Sequence, residues 1–188
     1  MKTYWRYVLL LTGVLLTGVT IMNESTAQRT QPPSETSSQR LADEMEIRRV
    51  VDEIDNAVDA KDWRTCRSYF LDEIDADFTS LAGGAPGRMK ADDLVGGWQR
   101  NLYADKRSHH MRSNHRITVK GDSAEVFSKG YAFNLLASRT GSDLWEVWGN
   151  YRHTLARTAG GWKVSGMTLA VTHARGNERA RDFVPPQP

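Results

Sequence analysis

Two adjacent histidines, His109 and His110, open a stretch rich in β-branched and aromatic residues, and His115 follows. An imidazole donates or accepts a proton near neutral pH, so a histidine at the start of a strand can serve as a general acid or base. Side chains alternate along a strand, which turns His109 and His110 to opposite faces. His110 is the candidate proton carrier and His109 the solvated neighbour. The alternative for His110 is a hydrogen-bonded histidine at a sheet edge. The same alternation separates the three histidines as metal ligands. No cysteine or carboxylate completes a shell at recognisable spacing, so no metal is expected.

The carboxylates offer a partner. Asp77 alternates with Ile74, Ala76 and Phe78. If it faces a cavity, burial raises its pKa and makes it a usable base. The alternative is an exposed carboxylate on a short edge strand. On the first predicted helix, at about 100° per residue, Asp55 falls at the edge of the apolar stripe and Asp59 further round. Both can be pocket acids or solvated helix residues. The aromatic set of Trp98, Tyr131, Phe133, Trp145, Trp148, Tyr151 and Trp162 is large for one small domain. Most of it must be core. Trp98, Tyr131, Phe133 and Trp148 are placed in a pocket for a ring-shaped or apolar molecule, and Trp145 and Trp162 in the structure proper.

These residues need elements to hold them. Ile47, Val50, Val51, Ile54 and Val58 recur at helical spacing and predict a helix from about Ala42 to Lys61. Asp62 caps a short second helix carrying Trp63, Cys66 and Phe70. Cys66 lies at helical spacing from Trp63 and Phe70, which makes it a buried, inert thiol. A short strand follows around residues 74–79, then the loop Gly83-Gly84-Ala85-Pro86-Gly87, then a helix from Ala91 to about Tyr103. The loop lacks the lysine and spacing of a phosphate-binding loop, and no cofactor motif is present, so no cofactor is expected. Segments near 109–120, 123–137, 144–158 and 161–173 read as strands joined by hairpin-like breaks. Helices followed by four linked strands predict an α+β domain whose N-terminal helices pack on a strongly curved antiparallel sheet. Such a sheet leaves a pocket at its open end.

The chain of 188 residues begins with Lys2 and Arg6, an apolar run from Tyr7 to Met22, and Ser25-Thr26-Ala27. That is a secretory signal peptide over 1–27, cut after Ala27. An uncleaved anchor is the alternative. Residues 28–40 are polar and proline-containing and read as a disordered linker, the domain spans 41–177, and 178–188 form a tail. Of the 25 basic and 23 acidic residues, only Lys2, Arg6 and Glu24 fall in the signal. The rest is nearly neutral, which argues against nucleic acid and against a membrane surface after cleavage. The expected location is periplasmic or secreted.

Several segments in order carry a resemblance: Asp59-x-x-Asp62-Trp63, Asp77-Phe78-Thr79-Ser80-Leu81-x-Gly83-Gly84, and Ala91-Asp92-x-Leu94-Val95-x-Gly97-Trp98. His109-His110-x-x-x-Asn114-His115, Gly149-x-Tyr151-x-x-x-Leu155-x-Arg157-Thr158, Gly161-Trp162-Lys163-Val164 and Gly176-Asn177 complete it. In this order they resemble the SnoaL-like family of the nuclear-transport-factor-2-like superfamily, over roughly residues 40–177. The resemblance implies a cone-shaped α+β domain and a pocket histidine at His110. Polyketide cyclases, dehydratases and members that only bind or oligomerise are among the relatives. It implies cofactor-independent lyase or isomerase chemistry with His110 and Asp77 as proton carriers, and Asn114 and Asn134 in the pocket. The chain departs from the active dehydratases of the family. Ile54 stands where they carry a tyrosine, Asn134 where relatives often carry a histidine, and His173 where they often carry a tryptophan. A non-catalytic small-ligand or dimerisation domain is therefore the alternative, and a homodimer is expected in either case.

Overall fold

The stripe on the first helix decides how the domain starts. In the computed structural model, which describes residues 35–138 and 141–186, helix α1 spans Glu35–Asp59. Its residues Ile47, Val50, Val51 and Ile54 are each at most 1% exposed. The helix begins within the segment read as a disordered linker, so its residues 35–40 are helical. The signal segment 1–27 and residues 28–34 lie outside the described residues. Asp43, in the third turn of α1, accepts two hydrogen bonds of 2.7 Å from Arg157 and one of 3.2 Å from the Trp162 indole. The Arg157 bonds hold its carboxyl down at about 2 against the opposing effect of burial. This network ties the early part of the helix to the sheet and accounts for its extension beyond the apolar stripe.

Asp62 accepts from the Thr65 amide at 3.0 Å and caps α2 (Trp63–Ser68). Strand β1 (Phe70–Asp77), a turn of helix α3 (Thr79–Ala82) and a short strand β2 (Gly87–Lys90) come next. Helix α4 (Ala91–Asn101) leads into four long strands: β3 (Arg107–Lys120), β4 (Ser123–Leu135), β5 (Leu144–Thr158) and β6 (Gly161–Gly176). They form one six-stranded sheet in the order β2-β1-β6-β5-β4-β3, curled and unclosed. The sequence predicts an antiparallel sheet, and one pairing differs: β1 lies parallel to β6. Strand β2 falls just after the glycine loop, where four residues are too few to show alternation.

Alternation along the long strands divides the sheet into two faces. Ala124, Val126, Leu155 and Val164 turn inward into the core with α1, α2 and α4, while Ala132, Trp145 and Val147 form a second cluster with Ala180; all are at most 6% exposed. Gly130 lies opposite Gly149 and makes room for a flat ring. A Cβ at Gly130 would sit 2.3 Å from Cε2 of Tyr151. Cys66 is fully buried, and burial pushes its thiol up to about 12. The sequence ends in a further element: residues 178–182, read as part of a tail, form helix α5 (Glu178–Asp182), capped by the Asn177 side chain.

Candidate functional site

Three acids on α1 meet three bases on β3. Asp59, Asp55 and Asp52 leave the helix at intervals of four and three residues, rises of about 6 and about 4.5 Å. Inward-facing residues on a strand are about 6.6–6.8 Å apart, so the two ladders match. Asp59 faces His110, Asp55 faces Arg112, and Asp52 faces His115. Alternation from Arg112 would turn His115 outward. A bulge between Ser113 and Arg116, with Asn114 at φ 56°, inserts one residue and brings His115 back inside.

The first pair is the most developed. Asp59 Oδ1 lies 2.7 Å from His110 Nδ1, and Oδ2 accepts from the His110 amide at 2.7 Å. The Ser108 hydroxyl donates to Oδ1 at 2.9 Å and accepts from Lys61 Nζ at 3.0 Å. Burial works to raise the Asp59 pKa, but the bonds from His110 outweigh it and hold the carboxyl below its usual range. An ionised carboxylate only accepts, so in the neutral ring Nδ1 carries the proton and Nε2 is the acceptor. His110 lines the cavity described below, with a side chain 19% exposed.

The second pair is deeply buried in the cavity wall. Arg112 lies side-on to Asp55, with Nη2 donating to Oδ1 at 2.7 Å and Nε 2.7 Å from Oδ2. Its guanidinium stacks on the Tyr151 ring, 3.7 Å from the centroid. Burial opposes its charge, but Asp55 prevails and Arg112 is held protonated. Next to it, burial pushes the His153 ring well below the ordinary histidine value, helped by the nearby Arg112 charge, so that His153 is neutral. In the third pair His115 Nε2 sits 2.9 Å from Asp52 Oδ1, a contact too poorly aligned for a good hydrogen bond.

His110, Asp55, Arg112 and Tyr151 border a cavity of about 720 Å³ between the helices and the inner face of the sheet, the size of a small-molecule site. Its walls are largely apolar, with Ile54, Val58, Leu94, Trp98, Val147 and Leu169 among them. Asn134 also lines it, 7% exposed. Helix α5 supplies Arg181 and Asp182 to the lining. It is fixed by Asn101 Nδ2 and Lys106 Nζ, each donating to the Arg181 carbonyl at 3.0 Å. Lys106 is fully buried, and burial pulls its ammonium down to about 8. Among the described residues, no group of three or more histidines, cysteines and carboxylates could hold a metal ion.

The expected site residues therefore divide. His110, Asp55, Trp98 and Asn134 line the cavity, and Asp59 stands behind His110. Asp77 does not reach the cavity. It accepts from the Thr79 amide and hydroxyl at 3.1 and 2.7 Å, which hold its carboxyl below its usual range. The bond from the Thr79 hydroxyl is the largest cause, and the two bonds outweigh the smaller opposing effect of burial. Asn114 is exposed at the bulge. Tyr131, Phe133 and Trp148 are on the other face of the sheet. There Trp148 lies between Tyr131 and His173, at 5.1 and 5.3 Å, and Phe133 meets His109 at 5.6 Å. Arg112, Arg181 and Asp182 were missed. Alternation from His110 would have found Arg112, and Asn177 before a charged pentapeptide was a helix-start signal.

A family model described as a SnoaL-like domain matches residues 39–168. Similar solved structures include the Kfla4162 protein of Kribbella flavida, at 25% identity and TM-score 0.72, covering 76% of this chain and 99% of that one. A candidate scytalone dehydratase of Novosphingobium aromaticivorans is 19% identical with TM-score 0.62, covering 74% and 91%. The LinA-type3 hexachlorocyclohexane dehydrochlorinase of Novosphingobium barchaimii is 20% identical with TM-score 0.60, covering 79% and 99%. At these lower identities the likeness is one of fold. No curated protein sequence matches the chain. The family match over most of the chain and the curled sheet packed on its first helix agree: the chain belongs to the SnoaL-like family, with the nuclear-transport-factor-2-like α+β fold.

Proposed function

We propose that this protein is a cofactor-independent lyase or isomerase that removes a proton from carbon in a small, largely apolar organic molecule. The observation that carries this reading is the Asp59–His110 pair. The carboxylate fixes Nδ1 as the donor, so Nε2 is a base held against an apolar cavity. The same Asp–His logic orients the base in hydrolase triads. Two fold neighbours named as a scytalone dehydratase candidate and a dehydrochlorinase accord with elimination chemistry. Asp77, expected from the sequence to share the proton, has no part in this proposal.

A generic probe tests the base. 5-Nitrobenzisoxazole loses its ring C–H proton to any well-placed base, and the N–O bond breaks to give a coloured cyanophenolate. The protein should accelerate this elimination over buffer, and His110→Ala should lower the rate by about 10²–10⁴-fold. Equal rates for the two proteins would refute the reading.

The signal pattern of residues 1–27 supports export to the periplasm or medium. Intact-mass analysis of protein from its native cell should give an N-terminus near Gln28. The outer aromatic row supports a second copy as partner, since a two-fold dimer is the commonest assembly.

A further inference from the structure

We propose that Lys61 is a positioning residue for the base: its ammonium, held by the Ser108 hydroxyl, offsets part of the Asp59 charge and keeps His110 free to accept a proton. The inference rests on His110 being the base and adds the group that tunes it.

The first sign is in the backbone. Helix α1 ends in a two-bond cap, in which the Asp62 amide donates to the Ala57 carbonyl at 2.8 Å and the Lys61 amide to the Val58 carbonyl at 3.1 Å. Such a cap turns one residue into the left-handed region, a place that glycine usually fills. Here that residue is Lys61, at φ 59°. Among the described residues the other non-glycine residue at positive φ is Asn114, of a type that tolerates it. A lysine held in that strained conformation points to a use for its side chain.

The use is at the far end of the stem. Nζ donates to the Ser108 hydroxyl at 3.0 Å, and the hydroxyl donates to Asp59 Oδ1 at 2.9 Å. An ammonium only donates, so the hydroxyl accepts from it and directs its one proton to Asp59. Oδ1 is also the oxygen that meets His110 Nδ1 at 2.7 Å. The ammonium is thus three hydrogen bonds from the imidazole. Neither Lys61 nor Ser108 belongs to the cavity lining, so they act through Asp59 and not on a bound molecule.

Burial opposes the Lys61 charge, and Asp59 sustains it. The Asp59 carboxylate favours the doubly protonated ring of His110, and a cation beside the carboxylate weakens that pull. Other charges surround the base. His109 Nδ1 is 3.7 Å from Asp59 Oδ2. Asp55, Asp93, Arg112, Arg181 and Asp182 border the cavity with His110, Arg112 bound to Asp55 and Arg181 to Asp182. Lys106 is near enough to Lys61 for the two charges to oppose each other. Of these neighbours of the base, Lys61 is the lysine joined to Asp59 by hydrogen bonds.

The test follows the pH midpoint of the benzisoxazole elimination and, with no substrate present, that of the Asp59 carboxyl by carbon-13 NMR. Lys61→Met keeps the stem and removes the charge. It should raise both midpoints, that of the rate by about 0.5–1 pH unit, the effect of losing a unit charge at this range in a half-buried site. Below the rate midpoint this is a loss of about three- to tenfold. Ser108→Ala, which unties the ammonium, should shift both midpoints in the same direction. Lys61→Arg, which keeps the charge and a donor, should hold both at the wild-type position. Lys61→Gly should move them as Lys61→Met does while melting no lower than the wild type, because glycine takes the left-handed turn without strain. Unmoved midpoints in Lys61→Met, or an equal shift in Lys61→Arg, overturn the proposal. A wild type that fails the elimination assay sinks the base, and the relay then stands or falls on the Asp59 midpoint alone.

Discussion

Replacing Asp59 by asparagine tests the base through its orienting group. The asparagine keeps the shape, and its Oδ1 can still accept from the His110 amide. Its Nδ2, however, can only donate to the ring, so His110 Nδ1 becomes the acceptor and the proton moves to Nε2, the cavity side. The base is then occupied by its own proton. Rate loss of about 10²–10⁴-fold should follow, the range for removing one acid–base group. Two charge-assisted bonds, at 2.7 Å each, are weakened but not all lost. The cost in stability should be about 1–3 kcal/mol. The Asp59 carboxyl is held below its usual range, so its stabilisation is complete above the ordinary carboxylate pKa and is lost as pH falls from there through the lower folded value. The stability gap between wild type and Asp59→Asn should therefore narrow in acid. Nitrogen-15 NMR of the His110 ring reads the tautomer without any substrate. The wild type should carry the proton on Nδ1 and the variant on Nε2. An unchanged tautomer, or an unchanged benzisoxazole rate in the variant, refutes the reasoning.

Asp77→Asn should leave the elimination rate within about twofold of wild type, because Asp77 serves the Thr79 turn and not the cavity. A melting point taken alongside the rate separates that structural role from a catalytic one. Lys106 predicts a pH effect of the same sense as that of Asp59, in the alkaline range. With its folded pKa near 8, below the unfolded value near 10.5, the unfolded chain holds the extra proton between them, and stability rises with pH from about 8. The buried Cys66 thiol acts in the opposite direction above about 9, the ordinary thiol value, so the rise should be clearest between pH 7.5 and 9 and absent in Lys106→Met, as followed by thermal melts. Light scattering at micromolar concentration should give a dimer, and Trp148→Glu a monomer with cavity binding intact; a monomeric wild type would end the case for the outer aromatic row as an interface.

The elements were largely legible because their periods are long enough to read: twenty-five residues of helix, then four strands of thirteen to sixteen residues. The site was legible one element at a time and failed where elements must be combined. Periodicity gives the direction of Asp59 around α1, but its meeting with His110 depends on how the helix lies along β3, which no local pattern states. The bulge at Asn114 compounds this, since it shifts the phase of the strand by one residue. The aromatic error could have been caught. Phe133 and Asn134 are neighbours on one strand and cannot both face the cavity, so placing Asn134 inside commits Tyr131, Phe133 and, across the pair to β5, Trp148 to the outside. Asp77 shows the converse limit: alternation set it opposite Ile74 and Ala76, but Ile74 is the fully buried one, and that fixes Asp77 on the other side. Helix α5 is five residues, too short for a period, yet it brings Arg181 and Asp182 to the cavity. Its anchor, Lys106 with Asn101, lies about 75 residues earlier, so only the folded chain reveals that the end of the sequence belongs to the site.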